Sequence, residues 1–268
     1  MNDYKYSWQV SKDQNLTPEN LILLFENKIP SIRIKNFAYI DECKSFARAI
    51  NWSEDNKIMR YYSVKPKVGY VGTAQVEYRW GYNKETYFNS VKQAWNDWNK
   101  VIDMSWNPLK RFMDLLENVS KQKVSIAKED GFGDLFAGII RKASNGIGRH
   151  VDYAPMNSPD YFIAKVNAQL GWNLFVDSPE KGGVTTIYNK PWKVKVKKNE
   201  TPPNSYNLSD EHILNSEKFS YEPITGDVVI FNSRNPHEVS AGDSKTNDRM
   251  QIGSFIGRLP NNDMILWS

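Results

Sequence analysis

The period of the hydrophobic pattern changes near residue 125, and this change decides the fold class. Before it, apolar residues recur at helical spacing. Thr17-Pro18 makes an N-cap and first-turn pair, and Leu21, Leu24 and Phe25 follow on one stripe. Ser31–Lys35 alternates as a short strand. The next helix is expected from a cap at Asp41, with Cys43, Phe46, Ala47 and Ile50 on its inner face. The clearest helix covers 86–103, where Val91, Ala94, Trp95, Trp98, Val101 and Ile102 share one side. These tryptophans read as core rather than as a stacking surface for substrate. Asn107-Pro108 opens a further helix with Leu109, Phe112, Met113 and Leu116 inward.

Beyond residue 125 the apolar runs shorten and turns multiply. Leu135–Arg141, Phe162–Val166, Trp172–Val176, Val184–Tyr188, Asp227–Phe231 and Gln251–Ile256 read as strands, punctuated by Gly182-Gly183 and Thr225-Gly226-Asp227. Many short strands at this spacing predict an antiparallel sandwich or jelly roll. The chain is therefore expected to be α+β: a mainly helical flank over 1–130 and a jelly-roll core over 131–268. The core is interrupted by a polar, lysine-rich stretch at 190–220, long enough to be functional or mobile. Within it, Trp192–Lys198 alternates lysines with apolar residues. It reads as a charged edge strand, with a basic lid over an anionic substrate as the alternative.

Composition narrows the classes. A length of 268 residues, 40% hydrophobic and 25% charged, suits a globular domain with a buried core. No apolar run reaches the roughly 18–20 residues that cross a bilayer. The first residues are polar and show no secretory core, so a cytoplasmic protein is expected. A net charge of +4 is weak support for nucleic acid as a partner. Gly182-Gly183 opens no helix, so it reads as a turn rather than a phosphate cradle. The one cysteine, Cys43, excludes an internal disulfide and a thiolate metal site, and is expected to be packed.

Only three histidines are present: His150, His212 and His237. In His150-Val151-Asp152, residues i and i+2 of an extended strand point to one side. An imidazole and a carboxylate thus meet at one point. His237 follows 85 residues after Asp152, just past the strand Asp227–Phe231. Two histidines and one carboxylate form a facial triad, which leaves three positions of an Fe(II) ion open. Arg249 comes 12 residues after His237, at the head of the next strand. A guanidinium there pairs bidentately with the far carboxylate of a 2-oxo acid. Phe255, six residues on, is placed to wall the same pocket. His212 has no such setting and reads as a solvated loop or helix residue.

The pattern resembles the Fe(II)/2-oxoglutarate oxygenases of double-stranded β-helix fold. Ser178–Gly183, Thr225–Asn232, Pro236–Ser240, Arg249 with Ile252–Phe255, and Leu266–Ser268 look like the subgroup that contains the indole-alkaloid carbon halogenases. The likeness extends loosely to Ile32–Phe37 and the helix after it, and covers roughly 30–55 and 135–268. It implies one oxygenase domain using Fe(II), 2-oxoglutarate as co-substrate, and O2. It also implies that Asn173 and Phe175 face inward. Asn173 then either hydrogen-bonds 2-oxoglutarate or substrate, or is a satisfied core amide; Phe175 is a candidate pocket wall. Thr185 is placed inward by the same argument, as a candidate 2-oxoglutarate contact. One departure matters: the halogenases of that subgroup carry Gly where this chain has Asp152. The resemblance therefore implies hydroxylation of an unactivated C–H bond, or another two-electron C–H oxidation, with succinate and CO2 released, rather than halogenation.

The expected partner is a small molecule: an amino acid, a nucleoside-like compound or a specialised metabolite. A nucleic-acid- or protein-modifying oxygenase stands as an alternative, and a jelly-roll binding protein without catalysis as another. Neither the substrate nor the oligomeric state is legible in the sequence.

Overall fold

The computed structural model describes residues 7–63, 67–79, 83–143, 145–193, 195–197, 203–243 and 248–268. Two β-sheets face one another, and helices cover the outer face of the larger sheet. In chain order the elements are α1 (Pro18–Phe25), β1 (Ser31–Ile34), α2 (Ile40–Asp55), β2 (Arg60–Tyr61), β3 (Val68–Val71), α3 (Lys84–Asp103) and α4 (Pro108–Ser120). Then come β4 (Val124–Ile126), β5 (Lys128–Glu129), β6 (Gly133–Asp134), β7 (Ile139–Ala143), β8 (Ile147–His150), α5 (Ala154–Asn157), β9 (Ala168–Asp177) and β10 (Thr185–Tyr188). The chain ends with β11 (Lys218–Tyr221), β12 (Val228–Phe231), β13 (His237–Val239), β14 (Arg249–Arg258) and β15 (Met264–Trp267).

The large sheet runs β1-β12-β9-β14-β7-β3-β2, with β15 also on β14 and β4 parallel to β15. The small sheet runs β11-β10-β13-β8, and β5 and β6 form a separate pair. This is the jelly-roll arrangement with flanking helices that the strand spacing predicts. Alternation along the large-sheet strands sorts side chains between two cores. Trp172, Leu174, Val228 and Ile230 pack against the helices with Leu24, Phe46, Trp98 and Phe112. Phe175, Val229 and Phe231 point the other way, to Ile187 and Tyr221 of the small sheet and to Trp8. Trp172 stacks on Phe112 of α4 with ring centroids 4.1 Å apart and planes 16° from parallel. The indole Nε1 of Trp98 donates to the Gly138 carbonyl at 2.7 Å, so this side chain belongs to the core.

Four local expectations are corrected. The helix expected from a cap at Asp41 starts at Ile40 with Tyr39 as its cap, two residues early, because the Glu42 carboxylate accepts the Tyr39 N–H at 2.9 Å. The run Leu135–Arg141 becomes a strand only at Ile139, past Gly138, whose φ is 82°. Phe162–Val166 is a 3-10 turn over Phe162–Lys165, not a strand, with the Phe162 N–H given to Glu129. Among the described residues of Trp192–Lys198 there is no strand. Trp192 and Val196 instead pack on a small cluster around Met156 and Leu208. Residues 194 and 198–202 of the 190–220 stretch lie outside the described residues. Among the described residues, no helix is long and apolar enough to cross a membrane.

Candidate metal centre and co-substrate cavity

His150 closes β8 and His237 opens β13, and the two are Cα partners across the antiparallel pair. Residues so paired project to one face at close range, and their ring centroids lie 4.1 Å apart. The strand stops at His150, so Asp152 is held by other means. Its N–H donates to the Ser233 carbonyl at 3.0 Å. Its own carbonyl accepts from the Ser233 hydroxyl at 3.0 Å and from Gln169 Nε2 at 3.0 Å. The side chain still arrives where strand alternation predicts. Asp152 Oδ2 lies 3.5 Å from His150 Nε2 and 3.7 Å from His237 Nε2. One ligand atom from each residue lies within 4.8 Å of the others, and all three side chains are largely shielded from solvent.

Hydrogen bonds fix which nitrogens face the centre. His150 Nδ1 lies 2.7 Å from the Gly148 carbonyl, and His237 Nδ1 lies 2.9 Å from the Asn235 carbonyl. A carbonyl only accepts, so each Nδ1 carries its proton and each Nε2 presents a lone pair. This outer contact orients metal-binding histidines. Burial pushes the His237 imidazole down to about 3, helped by the neighbouring His150. For His150 burial works the same way, but the Asp152 carboxylate outweighs it and the net shift is upward. The Asp152 carboxyl sits well below its usual range: burial opposes this, and the charge and contact of His150 overcome it. Two lone pairs and one carboxylate converging out of water suit a divalent cation.

The centre opens into a cavity of about 540 Å³ between the sheets. Arg249 enters it from the first position of β14 and is 4% exposed. Its Nη2 lies 3.4 Å from Thr185 Oγ1, and its Nε has no hydrogen-bond partner. Burial pushes the guanidinium down to about 10, and the Arg141 charge acts in the same direction. A buried cation is costly without an anion, and among the described residues no carboxylate pairs with Arg249, so an anion would suit this end of the cavity. Gln251 Oε1, from a residue that lines the same cavity, also has no hydrogen-bond partner among the described residues.

The remaining positions singled out in the sequence divide. Asn173 and Thr185 line the cavity from opposite sheets, and Phe255 lines it beside Trp267. Phe175 shares a strand face with Asn173 but is not part of the lining. Its ring lies under the Arg249 guanidinium at 5.0 Å, in the core between the sheets. His212 sits in the short turn Asp210–Ile213 and stacks on Trp192, away from the centre. Cys43 is 1% exposed and burial raises its thiol to about 11, so it is an unreactive core residue.

Sequence reasoning missed a second group of lining residues. Tyr62, Glu77 and Arg79 come from 60–79, Arg141 from β7, and Tyr206 from the polar stretch after residue 190. The Tyr206 hydroxyl donates to Asp152 Oδ1 at 3.1 Å. Burial, together with the Asp152 charge, raises this phenol far above its ordinary range, so it stays a donor. No periodic signal singles these residues out: Arg141 lies on the interior strand β7, and loops and a short turn carry the others.

Comparison with known proteins agrees with this geometry. The sequence model of the carrier-protein-independent halogenase WelO5 family matches residues 10–268. The chain is 33% identical over 221 residues to leucinostatins biosynthesis cluster protein S of Purpureocillium lilacinum, covering 78% of this chain and 89% of that protein. It is 25% identical over 201 residues to the L-gamma-glutamyl-L-propargylglycine hydroxylase of Streptantibioticus cattleyicolor, covering 74% and 73%. In structure it is similar to an N-substituted L-amino acid dioxygenase from Burkholderia ambifaria, with a TM-score of 0.60, 12% identity, and coverage of 94% and 91%. The chain belongs to the carrier-protein-independent halogenase WelO5 family. It is an oxygenase that depends on Fe(II) and 2-oxoglutarate.

Proposed function

We propose that this chain, as one oxygenase domain, hydroxylates an unactivated C–H bond of a small molecule of amino-acid type. His150, Asp152 and His237 hold the Fe(II). The buried Arg249, with Thr185 beside it and Asn173 across the cavity, receives 2-oxoglutarate. When bound, iron, 2-oxoglutarate and O2 supply the oxidation, which yields succinate, CO2 and one oxygen atom on a substrate carbon.

The observation that carries the reading is the placement of Asp152. Its Oδ2 converges with both histidine nitrogens, at the position where the halogenases that the sequence resembles have no carboxylate. A third protein ligand leaves positions for the co-substrate and dioxygen but none for a halide. Arg249 supports the co-substrate assignment: it needs an anion, and among the described residues no carboxylate pairs with it. The side chains of His150, Asp152 and His237 are largely shielded from solvent, which favours protection of a reactive centre from side reactions.

An amino-acid type of substrate is supported by the rest of the cavity wall. Arg141 offers a cation and Glu77 an anion, and neither forms an ion pair within the described residues. Burial raises the Glu77 carboxyl, against the pull of Arg141 and Arg60. A molecule with a carboxylate and an ammonium group matches both. The hydroxylase among the relatives is named for an amino-acid derivative.

The test supplies the protein with Fe(II), 2-oxoglutarate, chloride and air, together with a panel of amino acids and γ-glutamyl dipeptides. Succinate and a product heavier by one oxygen atom are expected. A chlorinated product without hydroxylation overturns the reading. So does a protein that consumes no 2-oxoglutarate in any mixture.

A further inference from the structure

We propose that Tyr206 is a positioning residue for the metal centre, holding Asp152 Oδ1 so that only Oδ2 stands beside the two histidine nitrogens. The inference rests on the Fe(II) and 2-oxoglutarate assignment given above. It concerns a segment, 203–209, to which that assignment gives no role.

The two oxygens of Asp152 have different surroundings. Oδ2 is the atom 3.5 Å from His150 Nε2 and 3.7 Å from His237 Nε2. Oδ1 accepts the Tyr206 hydroxyl at 3.1 Å. A hydrogen bond to a charged acceptor is stronger than one between neutral groups, and here it occupies the oxygen that does not face the histidines. A carboxylate free to turn offers both oxygens to a metal and takes two coordination positions. With two histidines, that leaves two of six. The proposed chemistry needs three, since 2-oxoglutarate takes two and O2 one. The phenol therefore keeps a position open and also orients the carboxylate as a ligand.

The segment is built to hold the phenol there. The Val151 N–H donates to the Ser205 carbonyl at 2.9 Å, and the Leu208 N–H donates to the Arg149 carbonyl at 3.0 Å. Tyr206 forms an antiparallel bridge with His150. The segment thus runs alongside β8, the strand that ends on the first histidine. The Tyr206 ring stacks on the His150 imidazole with centroids 5.4 Å apart and planes 6° from parallel. One side chain touches two of the three proposed ligands, through its ring and its hydroxyl. On the substrate side, the Arg79 guanidinium carbon lies 5.0 Å from the ring centroid.

A purely structural role would use only the ring and the backbone bonds. Tyr206→Phe keeps both and removes the hydroxyl. The experiment is anaerobic titration of the purified full chain with Fe(II) against a competing chelator. The visible absorption of the Fe(II)–2-oxoglutarate complex is recorded next, and melting temperature alongside. Tyr206→Phe is expected to melt with the wild type, to bind Fe(II) about ten-fold or more weakly, and to show a displaced absorption band. Replacing Tyr206 with 3-fluorotyrosine keeps the ring and makes the hydroxyl a more acidic donor; it is expected to restore the affinity and to displace the band from wild type in the direction opposite to Tyr206→Phe. Wild-type Fe(II) affinity together with an unmoved band in Tyr206→Phe overturns the inference. If Tyr206→Phe fails to fold, the fluorinated protein decides: a band displaced from wild type supports a bonded hydroxyl, and an unmoved band counts against it. A wild-type chain that binds neither Fe(II) nor 2-oxoglutarate refutes the functional reading itself, a result distinct from a silent Tyr206→Phe.

Discussion

The two sheets are built from the same alternating pattern but carry different burdens. The large sheet is covered by helices on one face, and its central strands β9, β12 and β14 are buried along almost their whole length. The small sheet has half-exposed positions throughout, and among the described residues no helix packs extensively against it. Yet His150 and His237 stand on the small sheet, while the large sheet contributes Asn173, Arg249 and Gln251 to the cavity. The lesson is a division of labour: the large sheet supplies the stability against which the small sheet holds polar side chains. Substitutions on the two sheets should separate activity from stability.

The largest effect is expected at the small sheet. His237→Ala removes one of the three proposed ligands and should reduce succinate formation to background, while the fold persists. Calorimetry of the metal-free proteins checks the second half. A collapse of the fold in His237→Ala would break the comparison, because it would make the small sheet a stability element. The opposite outcome is expected for Trp172→Ala on the large sheet. The indole is 1% exposed, stacked on Phe112 and hydrogen-bonded to Ser254 Oγ at 2.7 Å. Its loss should cost about 3–5 kcal/mol in denaturant unfolding. Any residual folded fraction should bind Fe(II) normally.

The same contrast explains what the sequence discloses. The central large-sheet strands β9, β12 and β14 are legible because burial on both faces leaves nearly continuous apolar runs such as Val228–Phe231, whereas β2, β3 and β4 are too short to stand out. The triad is legible because so few histidines are present and their spacing fits a strand pair. Asp152 arrives in place although its strand has ended, since Ser233 and Gln169 hold its backbone. That contact joins residues 81 positions apart, and no local pattern reports it. Tyr206 was hidden for the same reason. It sits in a polar stretch whose composition suggests only a loop, and its role exists only once that stretch lies beside β8. Phe162–Lys165 misled because an apolar run that short fits a turn as well as a strand, and the Glu129 carboxylate decides between them.

Arg249 tests the comparison from within the large sheet. It belongs to the stable sheet but carries an uncompensated charge into the cavity. Arg249→Met keeps the bulk and removes the charge. The metal-free protein should therefore gain about 1–3 kcal/mol of stability, since a buried unpaired cation is no longer desolvated. Affinity for 2-oxoglutarate should fall by about 2–5 kcal/mol, the usual cost of truncating one partner of a buried charge pair. Titration calorimetry under nitrogen reads the affinity, and urea unfolding reads the stability. A variant that loses stability as well as affinity would show that Arg249 is held by bonds within the protein rather than waiting for an anion.

The smallest effect is expected at Asn173, where the two readings of one residue can be told apart. Asn173 faces Gly253 across the β9–β14 pair. A Cβ at Gly253 would lie 2.7 Å from Asn173 Oδ1 and 2.2 Å from the Trp172 carbonyl, so the glycine makes room for the amide. The side chain is half-buried and lines the cavity. If its hydrogen bonds go to 2-oxoglutarate or substrate, Asn173→Ala should weaken one of those affinities by about 1 kcal/mol and leave urea unfolding unchanged. If the amide only satisfies the core, unfolding shifts by a similar amount and both affinities stay put. The first result extends the chemistry of the cavity onto the inner face of the large sheet. The second confines it there to Arg249 and its neighbours.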